Sequence, residues 1–143
     1  MKILAISPTY NEKKNIAELI NRITLIPTEV DLLIIDDNSP DGTADIVKSY
    51  MVDNKHIFIL EREKKLGLGT AYCEGFQWAL DRDYDLIVQI DADLSHNPDD
   101  IPRMVEMSKS ADLIIGSRYI DGVNVVNWPM RRLLLSYGAN LYA

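Results

Sequence analysis

Cysteine is nearly absent from this 143-residue chain: Cys73 stands alone, so no intramolecular disulfide forms and a reducing, cytoplasmic compartment is the expectation. Cys73 itself, inside a helical pattern, reads as a small core residue. Long hydrophobic runs are also missing. No stretch approaches the roughly eighteen apolar residues of a membrane span, and the opening Met1-Lys2-Ile3-Leu4-Ala5 is too short for a signal peptide, so a soluble chain is expected. Positive charge is in deficit: 15 Lys and Arg against 22 Asp and Glu leave a formal net charge of -7, which argues against nucleic-acid binding. The sequence holds no internal repeat, low-complexity tract or linker. With 47% hydrophobic and 26% charged residues it has the composition of one ordinary globular domain, residues 1–143.

What is present is an alternation of two patterns. Short, mostly continuous apolar runs at 3–6, 32–35, 56–60, 86–90 and 113–115 are of the kind buried on both faces of a parallel sheet, and predict five strands. Between them, residues 13–26, 43–51, 69–82 and 98–109 carry apolar side chains three and four apart, as Ile16, Leu19, Ile20 and Ile23 do, and predict amphipathic helices. The fold class is therefore α/β, a doubly wound, mostly parallel sheet whose ligands gather in the loops after the strands. A last helical pattern at 129–143 stops without a C-cap, so the chain is expected to end inside an element.

Polar residues cluster where the strands end. Ser7-Pro8-Thr9-Tyr10-Asn11-Glu12 follows the first: Pro8 stiffens the turn, Asn11 suits a helix cap, and Tyr10 and Glu12 read equally as ligand contacts or as packing. After the second comes Asp36-Asp37-Asn38-Ser39-Pro40-Asp41-Gly42-Thr43, in which Asp41-Gly42 is a turn signal and Asp41 or Thr43 a cap. Two adjacent carboxylates after a buried strand repel, which points to one of Asp36 and Asp37 as a ligand contact for a base or ribose hydroxyl. Lys64-Lys65-Leu66-Gly67-Leu68-Gly69-Thr70 brings cations and glycines to a helix start, a phosphate contact or simple helix entry.

Asp91-Ala92-Asp93-Leu94-Ser95-His96-Asn97-Pro98 closes the fourth strand. If that segment stays extended, Asp91, Asp93 and Ser95 point to one side and converge on a hard cation, Mg²⁺ or Mn²⁺, with Asp99 left as a cap and His96 as a surface or supporting residue. The net acidity fits such a site, because carboxylates repel phosphate unless a divalent cation lies between them. Gly116-Ser117-Arg118-Tyr119, Trp128 and Arg131-Arg132 complete the set, the arginines serving either a phosphate or the carboxylates themselves.

In this order, across nearly the whole chain, the blocks resemble the family-two, GT-A-type glycosyltransferases, and among them the polyprenol-phosphate (dolichol-phosphate) mannosyltransferases; Ser136-Tyr137-Gly138-Ala139-Asn140 favours that branch. The resemblance implies that Pro8, Tyr10, Glu12, Ile35 and Asp37 hold the nucleoside, with Asp91 and Ala92 beside it. It implies that Asp93, Asp91 and Ser95 hold the metal, Ser95 directly or through a water, and that Arg118 and Arg132 meet the diphosphate and the acceptor phosphate. Asp93, Arg118 and Arg132 are then the catalytic set.

The implied reaction is inverting transfer of a sugar, mannose from GDP-mannose, to a polyprenyl phosphate at the cytoplasmic face of a membrane. Family members continue further, so the resemblance also implies a C-terminally truncated domain whose membrane anchor, or a partner supplying one, lies elsewhere, with 129–143 as the start of an acceptor-side helix. The alternatives are a UDP-sugar transferase of the same fold acting on lipid phosphate or polysaccharide, and an inactive nucleotide-binding fragment. A phosphatase with an aspartate nucleophile fits less well, since its DxD belongs on the first strand.

Overall fold

The computed structural model describes residues 1–117 together with Met130, Arg131 and Ser136. The chain divides into two compact units, Met1–Ser110 and Ala111–Ala143. In the first, four parallel strands alternate with helices: β1 (Ile3–Thr9), α1 (Ile16–Leu25), β2 (Asp31–Asp36), α2 (Thr43–Met51), β3 (Ile57–Glu61), α3 (Leu68–Leu80), β4 (Leu86–Gln89) and α4 (Ile101–Met107). The strand order is β3-β2-β1-β4.

Continuous apolar strands serve two cores at once, because successive side chains leave a strand on opposite faces. Ile3 and Ala5 of β1 join Leu32 and Ile34 of β2 beneath α1, α2 and α4, which contribute Ile16, Leu19, Ile20, Ile23, Val47, Ile101 and Val105. Leu4, Ile6, Leu33 and Ile35 face the other way, under Ala71 and Ala79 of α3. Small residues let α3 lie close: a Cβ at Gly75 would sit 2.7 Å from Ile35 Cδ1 and 2.9 Å from Ile6 Cγ2. Cys73, expected in the core, is exposed; the buried stripe of α3 is Ala71, Gly75 and Ala79, and position 73 lies off it.

Several boundaries differ from the sequence-based expectation. The helix expected from residue 13 begins at Ile16, since the Glu12 carbonyl accepts the N–H groups of both Asn15 and Ile16 in a tight turn. Asn11 is no cap: it takes a left-handed φ of 60° and donates its N–H to Ser39 Oγ. Ahead of α4, Asn97 rather than Asp99 is the cap, accepting from Asp99 N–H at 3.2 Å, and the Asp99 carboxylate pairs with Arg22 at 2.8 Å. The run 113–115 forms no strand, and Leu113 and Ile115 are 76% and 75% exposed, so the sheet has four strands among the described residues. Apolar content alone makes no strand without a ladder partner.

Filling the gap under α3 tests this packing. Gly75→Val should destabilise the chain by about 1–3 kcal/mol, the usual range for forcing methyl groups into a filled core, read as a lower urea midpoint at unchanged m-value. An unchanged midpoint would mean that α3 is not seated on Ile6 and Ile35.

Candidate functional site

The strand order reverses between β1 and β4, since the chain moves outward from β1 to β2 and β3 and then crosses back to β1's other edge. In open α/β sheets the carboxyl ends at such a reversal bound a crevice. Pro8 lies inside β1, one residue before its end, and not in a turn. Ile6 accepts from Ile90 on the β4 side and Thr9 from Asp37 on the β2 side, so alternation aims Pro8 toward β4. The β4 ladder has ended there at Ile6 opposite Gln89, and the missing N–H breaks nothing. Tyr10, the next residue out, is 38% exposed, and the Lys65 ammonium stands 3.9 Å from its ring centroid, a cation–π contact.

The adjacent carboxylates after β2 are separated by their partners. Asp36, 1% exposed, accepts from Thr9 Oγ1 at 2.9 Å, Ser39 Oγ at 2.6 Å and Ser39 N–H at 2.8 Å, so it builds the loop. Asp37 accepts from Arg62 Nη1 at 2.7 Å and from Leu66 N–H at 3.3 Å. Nothing in a strand-end motif singles out Arg62. Its side chain is 2% exposed, it donates to Thr70 Oγ1 at 2.6 Å, and its backbone N–H bonds Asp36 O. Its Nε lies 3.2 Å from Glu74 Oε1 but off the line of a hydrogen bond, so that contact is an ion pair. A signal existed: Phe58, Leu60 and Arg62 are two apart, which continues β3's inner face onto Arg62.

Beyond β2, Asp41 Oδ1 accepts from the Thr43 hydroxyl at 2.6 Å and Thr43 N–H at 3.0 Å, a turn just ahead of α2 whose cap position is held by Gly42 in a left-handed conformation, not by Thr43 or Asp41. Slight desolvation acts to raise its pKa, but these bonds and one from Lys13 N–H outweigh it and hold the carboxyl below its ordinary value. Glu12 is tied in as well: its N–H donates to Thr43 Oγ1 and its carboxylate accepts from Asn15 Nδ2 at 2.8 Å.

After β4 the chain does not stay extended. Residues 92–94 turn, Leu94 has φ 61°, and Asp93 Oδ1 accepts from Ser95 N–H at 2.9 Å. The alternation that would aim Asp91, Asp93 and Ser95 to one side is therefore broken, because the Asp93 side chain folds the backbone back on itself. Ala92 is buried at 4% and belongs to the core, while Asp93, Ser95 and His96 are exposed. Asp91 donates its N–H to His96 Nδ1 at 3.2 Å, and the Tyr72 hydroxyl lies near its carboxylate. Burial first, and then the Asp91 charge and bond, push the Tyr72 pKa well above its ordinary value, so this hydroxyl stays a donor.

Nine of the sequence-predicted site residues are described. Pro8, Tyr10, Glu12, Asp37, Asp91, Asp93 and Ser95 lie at strand ends or in the loops after them, whereas the side chains of Ile35 and Ala92 are committed to the core. Arg118 and Arg132 lie outside the described residues. Among the described residues no three His, Cys, Asp or Glu side chains gather round one point. The donor set still suits a divalent cation shared with a ligand, since Asp91 and Asp93 offer hard oxygens and magnesium is commonly held by one or two carboxylates plus substrate phosphates.

The family model for glycosyl transferase family 2 matches residues 5–142. The chain belongs to that family. It is 43% identical over 142 residues to an undecaprenyl-phosphate mannosyltransferase of Micrococcus luteus, covering 99% of this chain and 58% of that protein. It is 41% identical over 143 residues to a dolichol-phosphate mannosyltransferase of Pyrococcus furiosus, covering 97% of this chain and 39% of that one. The chain thus spans about half the length of the curated relatives it matches. Among solved structures, the mannosyltransferase PcManGT of Pyrobaculum calidifontis, in complex with GDP-Man and Mn²⁺, superposes with a TM-score of 0.66 at 23% identity, over 75% of this chain and 32% of that one. That likeness bears on the fold, a GT-A glycosyltransferase arrangement in which the parallel sheet is flanked by helices on both faces.

The buried and the exposed ion pair should separate by stability. Arg62→Met leaves Asp37 buried and unpaired and should cost about 3–5 kcal/mol, whereas Arg22→Ala at the exposed Asp99 pair should cost at most about 1 kcal/mol. Urea denaturation of both variants measures this; equal losses would show that Arg62 is solvated in solution.

Proposed function

We propose that residues 1–143 act as one catalytic domain transferring a sugar, mannose from GDP-mannose, to a polyprenyl phosphate with inversion at the anomeric carbon. The observation that carries this reading is the placement of Tyr10, Asp37, Asp91 and Asp93 at the strand ends around the β1/β4 reversal, in a chain of that family. Relatives named for polyprenyl-phosphate mannosyl transfer support the choice of acceptor and sugar. A solved neighbour carrying GDP-Man and Mn²⁺ supports Mg²⁺ or Mn²⁺ as the cofactor.

In this reading the Tyr10 ring and the Asp37 carboxylate orient the nucleoside, and Asp91 and Asp93 hold the cation together with the diphosphate. A bound divalent cation neutralises charge on the departing nucleoside diphosphate. Arg118 serves the diphosphate and Arg132 the acceptor phosphate, with Ser95 a further ligand, directly or through a water. The acceptor phosphate is ionised near neutral pH, so the site needs no general base of its own. Among the described residues no helix is long and apolar enough to cross a membrane, and the lipid acceptor is met by peripheral attachment at the cytoplasmic face, through a partner or further sequence.

Two measurements test the reading. Titration of GDP and UDP in Mn²⁺ and in excess EDTA should show GDP favoured and binding lost with the chelator, and Asp93→Asn should remove most of the Mn²⁺-dependent part. Transfer of labelled mannose from GDP-mannose to a polyprenyl phosphate should follow. Preference for UDP would move the donor to a UDP-sugar, and equal GDP binding with and without chelator would overturn the cation's place in the site.

A further inference from the structure

We infer that His96 is a positioning residue whose imidazole fixes the Asp91 main chain for cation and diphosphate binding, an inference that rests on the function proposed above. The last ladder bond of β4 runs from Ile90 N–H to Ile6 O at 3.1 Å, so alternation turns the Asp91 N–H to the other edge of β4, where no strand among the described residues pairs with it. His96 supplies the acceptor. Its Nδ1 takes the Asp91 N–H at 3.2 Å, five residues along the chain, and the same ring brings Nε2 to 3.8 Å from Asp91 Oδ2.

An imidazole that accepts at Nδ1 carries its proton on Nε2, so the edge turned toward the carboxylate is a donor edge. Asp91 is thereby held at its backbone by His96, while the Tyr72 hydroxyl of α3 stands near its carboxylate. Between the two ends of this clasp, Leu94 at φ 61° and the bond from Ser95 N–H to Asp93 Oδ1 fold the loop so that 91 and 96 meet. A lone, half-exposed histidine after a strand would ordinarily face water; here its acceptor nitrogen replaces the missing ladder partner of a candidate cation ligand. Losing a group that orients a metal ligand typically costs about 10–100-fold in metal affinity or activity.

The clasp is tested on the full chain with three substitutions. An Asn amide oxygen sits near the place of Nδ1 and a Gln amide oxygen near that of Nε2, so His96→Asn should preserve the bond that His96→Gln and His96→Ala remove. Two readouts separate the inference from the function it rests on. Hydrogen exchange of the Asp91 amide, measured without metal or nucleotide, should speed up in the Ala and Gln variants and stay slow in the Asn variant. Calorimetric GDP binding in Mn²⁺ should weaken about tenfold or more in the same two variants and stay near wild type in the Asn variant, with melting temperature and metal-free guanosine binding unchanged in all three.

Unchanged Asp91 exchange in His96→Ala overturns the clasp. Faster exchange with unchanged GDP affinity overturns its role in binding, and rescue by Gln instead of Asn shifts that role to Nε2 and overturns the backbone account. Wild-type GDP binding indifferent to Mn²⁺ overturns the functional reading and the role in cation binding with it, while the exchange measurement still decides the clasp.

Discussion

A guanidinium with almost no exposure, Arg62, ties the end of β2, the end of β3 and the first turns of α3 to one another, and the crevice at the carboxyl ends depends on that knot. Removing such a cation from water is expensive, and the expense is met only because Asp37, Thr70 and Glu74 surround it with acceptors and opposite charge. The pair also solves a problem of the sequence, where two neighbouring aspartates follow a buried strand. Hydroxyls and a backbone amide hold Asp36, a cation holds Asp37, and the two carboxylates repel less because each is bonded in a different direction. A carboxylate accepts more than two bonds, so Asp37 keeps capacity for a ligand donor while bound to Arg62 and Leu66.

Most of the fold was legible because parallel strands and their helices follow strong, local rules. The strand β2 was anticipated at 32–35 and found as Asp31–Asp36, and the bounds of α2, Thr43–Met51, agree at both ends. What escaped the sequence depended on partners distant along the chain. The run 113–115 looks as apolar as 32–35, yet only a ladder neighbour distinguishes a strand from an extended segment. By residue type Cys73 reads as core, but phase decides, and Ala71, Gly75 and Ala79 define the inner stripe of α3.

The candidate site divides in the same way. Tyr10, Asp37, Asp91 and Asp93 were placed at strand ends by position alone, and the fold keeps them there. Their immediate partners were not legible: Lys65 over the Tyr10 ring, Arg62 on Asp37, and His96 and Tyr72 on Asp91 each come from another loop or helix, or from the far side of a turn. The expectation of an extended segment from 91 to 95 failed for a local reason, since an aspartate two residues before a free amide bonds it and turns the chain.

Gly75 acts as a shim. The distance between helix and sheet at its position is set by one absent side chain, and α3 is a stiff rod that transmits that spacing to its ends. At its leading end Thr70 holds Arg62, and Gly67, with φ 98°, turns the chain into the helix. The seat of Arg62 beside Asp37 is thus set about two turns of helix away, by a residue that touches neither of them. Variation at that remote contact would shift the buried ion pair without altering either of its charged groups.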